Sequence, residues 1–405
     1  MSNYIFKQTF RNIEIDRINP IVKSSYQNVV KQIINKEIEP IDIINKNDDV
    51  NIFKDVASDI IRNFKHILLL GVGGSSLGAK TFCSISESNN LTFLESIDPQ
   101  TINYTIQKLD INNTLFLVVS KSGETIETIC QTLIIIDYLK NLKIEEIAKK
   151  FLFVTEDKDN SIKRIANKIG ARSLNHPSEV GGRFSCFSIT GLLPAAIAGL
   201  DIFKIIEGAK LSLGNFLQEK GNSVVEAIHV QTNLFDNGYK SNVIMPYIDS
   251  LKNFTDWYRQ LWAESLGKDG FGSTPINSMG TVDQHSQLQL YLDGPRDKFF
   301  TFITLANQKK DYKINDLQGC KTLFGNKEIS KILEIEHQTT IETLAIKNLP
   351  IRIINFSNID ELAIGSIMMH MFLETILLAT LKGINPFDQP AVENRKNLAR
   401  KMLLK

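Results

Sequence analysis

"HILLLGVGGSSLGAKTFCSI", His66 to Ile85, is the stretch on which the reading of the fold turns. "HILLL" is an apolar run too short for a buried helix, it is closed by glycines, and the residues after Ser75 can open a helix. "LTFLESID" (91–98) then reads as a second strand, so the three pieces form a β-α-β unit. Such a crossover implies parallel strands.

The alternation continues downstream. "TLFLVVS" (114–120) begins the next strand, "GETIETICQTLIIIDYLKN" (123–141) the next helix, "KKFLFVTED" (149–157) another strand, and "SIKRIANKIGA" (161–171) a helix ended by Gly170. A parallel, doubly wound sheet with helices on both faces is predicted. A second round follows, with helix "VVEAIHVQTNLFD" (224–236), strand "SNVIMPYID" (241–249), helix "LKNFTDWYRQLWAESLG" (251–267), and strands "KFFTFITLAN" (298–307) and "IRIINFS" (351–357). A chain of 405 residues suits two such α/β units in tandem. We divide it into an N-terminal extension (1–45), a first domain (46–202), a second domain (203–383) and a C-terminal arm (384–405) whose "VENRKNLARKMLLK" reads as a closing amphipathic helix.

Composition narrows the function. The chain is 43% hydrophobic and 22% charged, and its 46 basic and 45 acidic residues leave a formal charge of +1. No basic block or arginine-rich face is set to track a nucleic-acid backbone, so a bound anion is expected to be small and held locally. The N-terminal "MSNYIFKQTFRNIEIDRINP" has no uninterrupted apolar core of leader length, from which a cytoplasmic protein is expected. Cys83, Cys130, Cys186 and Cys320 lie far apart without a CxxC pair, so neither a disulfide framework nor a zinc knuckle is expected. "AIGSIMMHMFLETILLATL" (363–381) is nearly long enough to cross a bilayer, but it carries His370 and Glu374 near its centre and is read as a buried core helix, with no membrane partner.

In open α/β sheets, ligands sit beyond the carboxyl ends of the strands, the position of both "GVGGSSLG" and "SKSGETIET" (120–128). A helix N-terminus offers unpaired N–H groups and partial positive charge, and Ser120, Ser122 and Thr125 around Lys121 read as a cradle for one phosphate. Helix capping alone is the competing account of these hydroxyls. Two nucleotide motifs come close and fail. Ala79 separates Gly78 from Lys80, breaking the Gly-Lys-Ser/Thr run of a Walker loop, and Ser76 stands where a dinucleotide fingerprint has its third glycine, although Asp98 could mimic its ribose-binding acid.

Further along, "EVGGRFSCFSITGL" sets Arg183 beside two glycines, where a guanidinium and bare backbone can approach a ligand together. "QLWAESLGKDG" puts Glu264 among apolar neighbours at a helix end, a candidate base. "GTVDQHSQLQLYLDG" places His285 near a helix start, where it either moves a proton or packs. "NPFDQPAVENRKNLARK" supplies Gln389 in a Pro-flanked turn and Lys396 in the helix after it.

Taken together and in order, "GVGGSSLG", "SKSGETIET", "GGRFSCFS", "QLWAESLGK", "GTVDQH" and "FDQPAVENRK" resemble the motif series of the glucose-6-phosphate isomerase family in a short bacterial-type form. The resemblance runs from about Ile67 to Lys396 and implies two tandem doubly wound sugar-isomerase (SIS) domains with mainly parallel sheets, plus a C-terminal helix. It implies that Ser120, Lys121, Ser122 and Thr125 bind the sugar's phosphate and that Gly74 and Ser75 line the sugar. Glu264 matches the base that moves a proton between C2 and C1 through a cis-enediolate, and Arg183 the group facing the developing negative charge. His285 and Lys396 match residues that assist ring opening, and Gln389 a substrate contact near the phosphate. The family's histidine comes from the partner subunit, so a homodimer is implied; no metal, nicotinamide or other cofactor is.

Ser122 and Gly123 depart from the threonine and bulky residue of many members, and the N-terminal portion is shorter than in long eukaryotic-type chains. A non-catalytic sugar-phosphate-binding regulator on the same fold is the alternative, and it would not need Glu264, His285 and Lys396 together. A nicotinamide oxidoreductase is a further rival, and its test is a cofactor titration followed through Trp257 and Trp262.

Overall fold

The computed structural model describes residues 5–14, 18–218, 222–306, 311–318 and 322–403. Cys320 lies outside them. Strand β1 (Phe6–Arg11) is followed by the five strands of a first sheet, β2 (His66–Leu70), β3 (Leu91–Leu94), β4 (Thr114–Val119), β5 (Phe151–Thr155) and β6 (Arg172–Asn175). A second group follows, β7 (Ser241–Pro246), β8 (Thr274–Asn277), β9 (Lys298–Leu305) and β10 (Ile351–Phe356).

The first sheet is wholly parallel in the order β3-β2-β4-β5-β6, with Leu68 opposite Phe116 and Val118 opposite Phe153. All six residues of β4 are buried, as a central strand covered on both faces requires. The second sheet runs β8-β7-β9-β10-β1, repeating the first order over four strands. Its fifth place goes to β1, which pairs antiparallel with β10, Phe6 opposite Phe356. Thus residues set apart as an N-terminal extension in the sequence close the second sheet.

The order reverses between β2 and β4, and again between β7 and β9, which opens a crevice at the carboxyl end of each sheet. The helix Lys252–Leu266 leaves β7 and packs against the helix Leu77–Cys83, which leaves β2. This contact brings the crevice of the first sheet against the helix that follows β7 of the second.

The apolar helix Glu361–Leu381 lies inside the protein, with 94% of its most apolar window buried. Its charges are answered there: Arg352 of β10 donates to both oxygens of Glu374, His370 lies 2.8 Å from the same carboxylate, and Gln231 donates to it at 3.0 Å. Burial opposes ionisation of Glu374, but Arg352 and His370 outweigh it and hold the carboxyl down at about 2. Cys83, Cys130 and Cys186 are unpaired, and burial pushes the Cys83 thiol up to about 12.

Candidate active site

Four segments meet at the domain junction. After β2 the chain makes a tight turn at Gly73–Ser75, and Gly74 presses on the backbone of Gly182: a Cβ added there would lie 2.3 Å from the Gly182 carbonyl carbon. Only glycine fits. Ser185 ties the two loops by donating to the carbonyls of Gly74 (3.1 Å) and Gly182 (2.6 Å). Lys80, the near-Walker lysine, is held by Glu95 at 2.7 Å. It is absorbed by a structural pair.

Arg183 follows Gly182 and its side chain is 3% exposed. Its Nε donates to Ser265 Oγ at 2.8 Å, and Nη1 to Gln389 Oε1 at 3.0 Å, with Glu264 Oε2 at 3.5 Å. Its Nη2 donates to the carbonyls of Pro386 and Asp388, the latter at 2.7 Å. Burial lowers the guanidinium's pKa from its ordinary value, opposed by Glu264 and Asp388. The planar fork thus joins the helix Lys252–Leu266 to the start of the C-terminal arm.

Helical spacing explains how Glu264 is presented. Trp257, Tyr258, Leu261, Trp262, Ser265 and Leu266 are buried along one side of Lys252–Leu266, which leaves Glu264 on the other, 32% exposed. Leu261, Trp262 and Leu266 therefore face the core while Ala263 is exposed, and the Glu264 carboxylate meets Arg183 and, one turn back, Gln260 Nε2 at 3.2 Å. Gln260 also lies against Gly73, where a Cβ would come within 3.0 Å of its Nε2. Sequence reading passed over Gln260; its spacing of four from Glu264 was the available signal.

The proposed phosphate cradle follows β4. Ser120 is buried and its Oγ donates to Thr125 Oγ1 at 3.2 Å, while Ser122 Oγ accepts from the backbone of Glu124 at 3.2 Å. Thr125 occupies the N-cap of the helix Ile126–Asn141 yet makes no side-chain capping bond. For Thr125, then, capping does not account for the hydroxyl. Gly123 has φ +66°, and a Cβ on it would fall 1.9 Å from Asn160 Oδ1. Lys121 is half-buried with Nζ 3.5 Å from Glu156. Behind it burial pushes His176 down to about 4, helped by the charge of Lys121 and opposed by the Pro177 carbonyl and Glu156.

His285 ends the short turn Val282–His285 and is exposed, without a hydrogen-bond partner among the described residues. Lys396 lies on the helix Pro390–Leu403, paired with Glu393 at 2.6 Å. Within one chain, neither has a hydrogen bond or ion pair to Glu264. Arg395, beside Lys396, reaches within 3.9 Å of Glu127 in the first turn after Thr125, so the arm passes over the rim of the cradle. Gln389 is engaged with Arg183 next to Glu264.

Two tandem doubly wound α/β units, with glycine loops, a guanidinium and a carboxylate converging at their junction, define the class. The family model for phosphoglucose isomerase matches residues 52–405. A probable glucose-6-phosphate isomerase of Methanococcus maripaludis is 33% identical over 381 residues, covering 91% of this chain and 85% of that one. The glucose-6-phosphate isomerase of Methanocaldococcus jannaschii is 31% identical over the full length of both. Among solved structures, a hypothetical protein of Thermus thermophilus superposes with TM-score 0.89 at 27% identity over 95% of each chain. A glucose-6-phosphate isomerase of Chlamydia trachomatis shares the fold at TM-score 0.76 and 24% identity, over 88% of this chain and 73% of that one. The chain belongs to the phosphoglucose isomerase family.

Proposed function

We propose that the residues gathered around Glu264 carry out the family's reaction, the reversible isomerisation of glucose 6-phosphate and fructose 6-phosphate. The observation that carries this assignment is the juxtaposition of Glu264 and Arg183 at 3.5 Å beside the Gly74–Gly182 contact. A carboxylate and a fixed guanidinium side by side can move a proton on carbon while negative charge on an adjacent oxygen is met.

The phosphate is held by Ser120, Ser122 and Thr125 at the start of the helix Ile126–Asn141, with Lys121 adding charge. Gly74 and Ser75 border the sugar. Glu264 removes the C2 proton of the opened aldose and returns it to C1, while the hydroxyl proton passes from O2 to O1. Arg183 faces the enediolate oxygens. Aldehyde and alcohol exchange oxidation level by proton transfer alone, so the reaction calls for no metal or nicotinamide. His285 and Lys396 open the ring, His285 acting on the site of a second copy in a homodimer. The exposure of His285, and of Val282 three residues before it (67%), supports that arrangement. The enzyme serves glycolysis and gluconeogenesis in the cytoplasm.

The test is conversion of fructose 6-phosphate to glucose 6-phosphate by purified protein without added metal, coupled to NADP reduction. Turnover is expected, and no turnover from a folded, phosphate-binding protein would overturn the assignment in favour of a sensor.

A further inference from the structure

Arg183 has five N–H donors and five partners: Ser265 through Nε, Gln389 and Glu264 through Nη1, and the carbonyls of Pro386 and Asp388 through Nη2. A fully engaged guanidinium has no donor left for a substrate oxygen. For Arg183 to meet an enediolate, one of these contacts has to be exchanged. The partners of Nη1 are side chains, whereas Nη2 holds backbone carbonyls of the 385–389 turn. Exchange at Nη1 is the change that leaves the backbone in place.

Losing Gln389 from Nη1 weakens the hold on the arm, and the helix that follows has no buried residue of its own. Beyond the turn, its one described ion pair to the rest of the chain is the Arg395–Glu127 contact at 3.9 Å. A second anchor is present. Lys268 Nζ lies 2.7 Å from Asp388 Oδ1 and also donates to the carbonyl of Asn385, with its side chain 11% exposed. The turn is braced from within by Asn385, whose Oδ1 accepts from Phe387 N (2.9 Å) and whose Nδ2 donates to Asp388 (3.1 Å). Phe387 packs on Phe184, one residue after Arg183, at 5.2 Å between ring centroids. Lys268 stands four residues after Glu264, just past the end of the same helix. It therefore registers the arm to the base directly, without passing through Arg183.

We propose that Lys268 is a positioning residue for the isomerisation: by holding Asp388 and the Asn385 carbonyl, it keeps the arm seated while Arg183 exchanges Gln389 for a substrate oxygen. The proposal deepens the reading of Glu264, Arg183 and the arm given above and rests on it. Lys268 touches no reacting atom in this scheme; it acts through the turn.

The test compares Lys268→Met and Lys268→Arg with the wild type, using kcat and KM in the coupled assay and the rate of tryptic cleavage in the 395–401 segment with and without fructose 6-phosphate. Lys268→Met is expected to lower kcat by about 10- to 100-fold, as misplacement by an ångström does, and to leave KM within a few-fold. Its arm should be cut faster, most of all with substrate bound, and Lys268→Arg should recover most of both properties. Wild-type kcat in Lys268→Met would overturn the proposal, as would a loss matched by equal destabilisation and not rescued by arginine. An inactive wild type would instead overturn the isomerase reading, and protection of the arm would still report on whether Lys268 holds it.

Discussion

Shortening Glu264 and neutralising it should give two different losses. In Glu264→Gln the side chain keeps its length, so its contacts with Gln260 at 3.2 Å and Arg183 at 3.5 Å remain possible in outline. One oxygen becomes an NH₂ group and meets a donor, a clash eased by the 32% exposure of the side chain, so the fold should lose no more than about 1 kcal/mol. Proton transfer is removed outright, and a fall in kcat of about 10⁴-fold or more, or about 5.5 kcal/mol, is expected. In Glu264→Asp the carboxylate survives but withdraws by about 1.5 Å, one C–C bond, which takes it out of reach of Gln260. Misplacement on that scale predicts a loss of about 10²- to 10³-fold. KM should stay within a few-fold in both, because Ser120, Ser122 and Thr125 are untouched. The assay is coupled turnover of fructose 6-phosphate, with exchange of the C2 proton into deuterated water as a direct readout of the base. A Gln variant within tenfold of wild type, or an Asp variant worse than Gln, would refute the assignment of Glu264 as the base.

Gly123→Ala places a Cβ on Asn160 Oδ1, which accepts from Lys163 N at 2.8 Å, and forces alanine to φ +66°. A cost of at least about 1–3 kcal/mol and a KM raised about tenfold should appear together in denaturant titration and kinetics; an unchanged KM would separate the cradle from the substrate. Glu374 is held near 2 against an ordinary 4.5, so its stabilisation is whole above about 4.5 and is lost as the pH falls toward 2. At about 1.4 kcal/mol per pH unit this amounts to about 3 kcal/mol, and the denaturant midpoint of Glu374→Gln should fall less steeply below about pH 4.5 than that of the wild type; parallel curves would contradict it. Mixing inactive Glu264→Gln and His285→Ala chains through an unfolding and refolding cycle should restore about a quarter of wild-type activity if each site draws on two copies, whereas no recovery would place His285 within its own subunit. Lys80→Met should retain turnover, since its ammonium is held by Glu95 at 2.7 Å; a large loss would reopen a phosphate role for it.

The alternation of short apolar runs with longer amphipathic ones is a local property, and it carried the parallel strands β2, β3, β4, β5, β7, β9 and β10. β6 escaped because "RSLN" has no apolar run, only Ser173 and Leu174 being partly buried, and its strand character comes from pairing with β5. β1, "FKQTFR", does alternate, but nothing local says that it closes a sheet whose other members begin more than two hundred residues later. The helix Ile329–Ile346 was likewise missed: its pattern is only weakly amphipathic, with Thr340, Ile341 and Leu344 its buried residues.

By itself, the sequence determined the class of fold, the glycine loops at strand ends and the hydroxyl cluster after β4, because each depends on residue type and spacing within a few residues. Tertiary structure decided which of those groups share a site. Arg183 and Glu264 are 81 residues apart and Arg183 and Gln389 are 206 apart, so only the packing of one domain on the other brings them within 3.5 Å. It also decided which charges are spent on structure, as with Lys80 on Glu95 and Arg352 on Glu374. A lysine or arginine has the same chemistry wherever it stands in a sequence, and what it does is set by the partner that folding places against it.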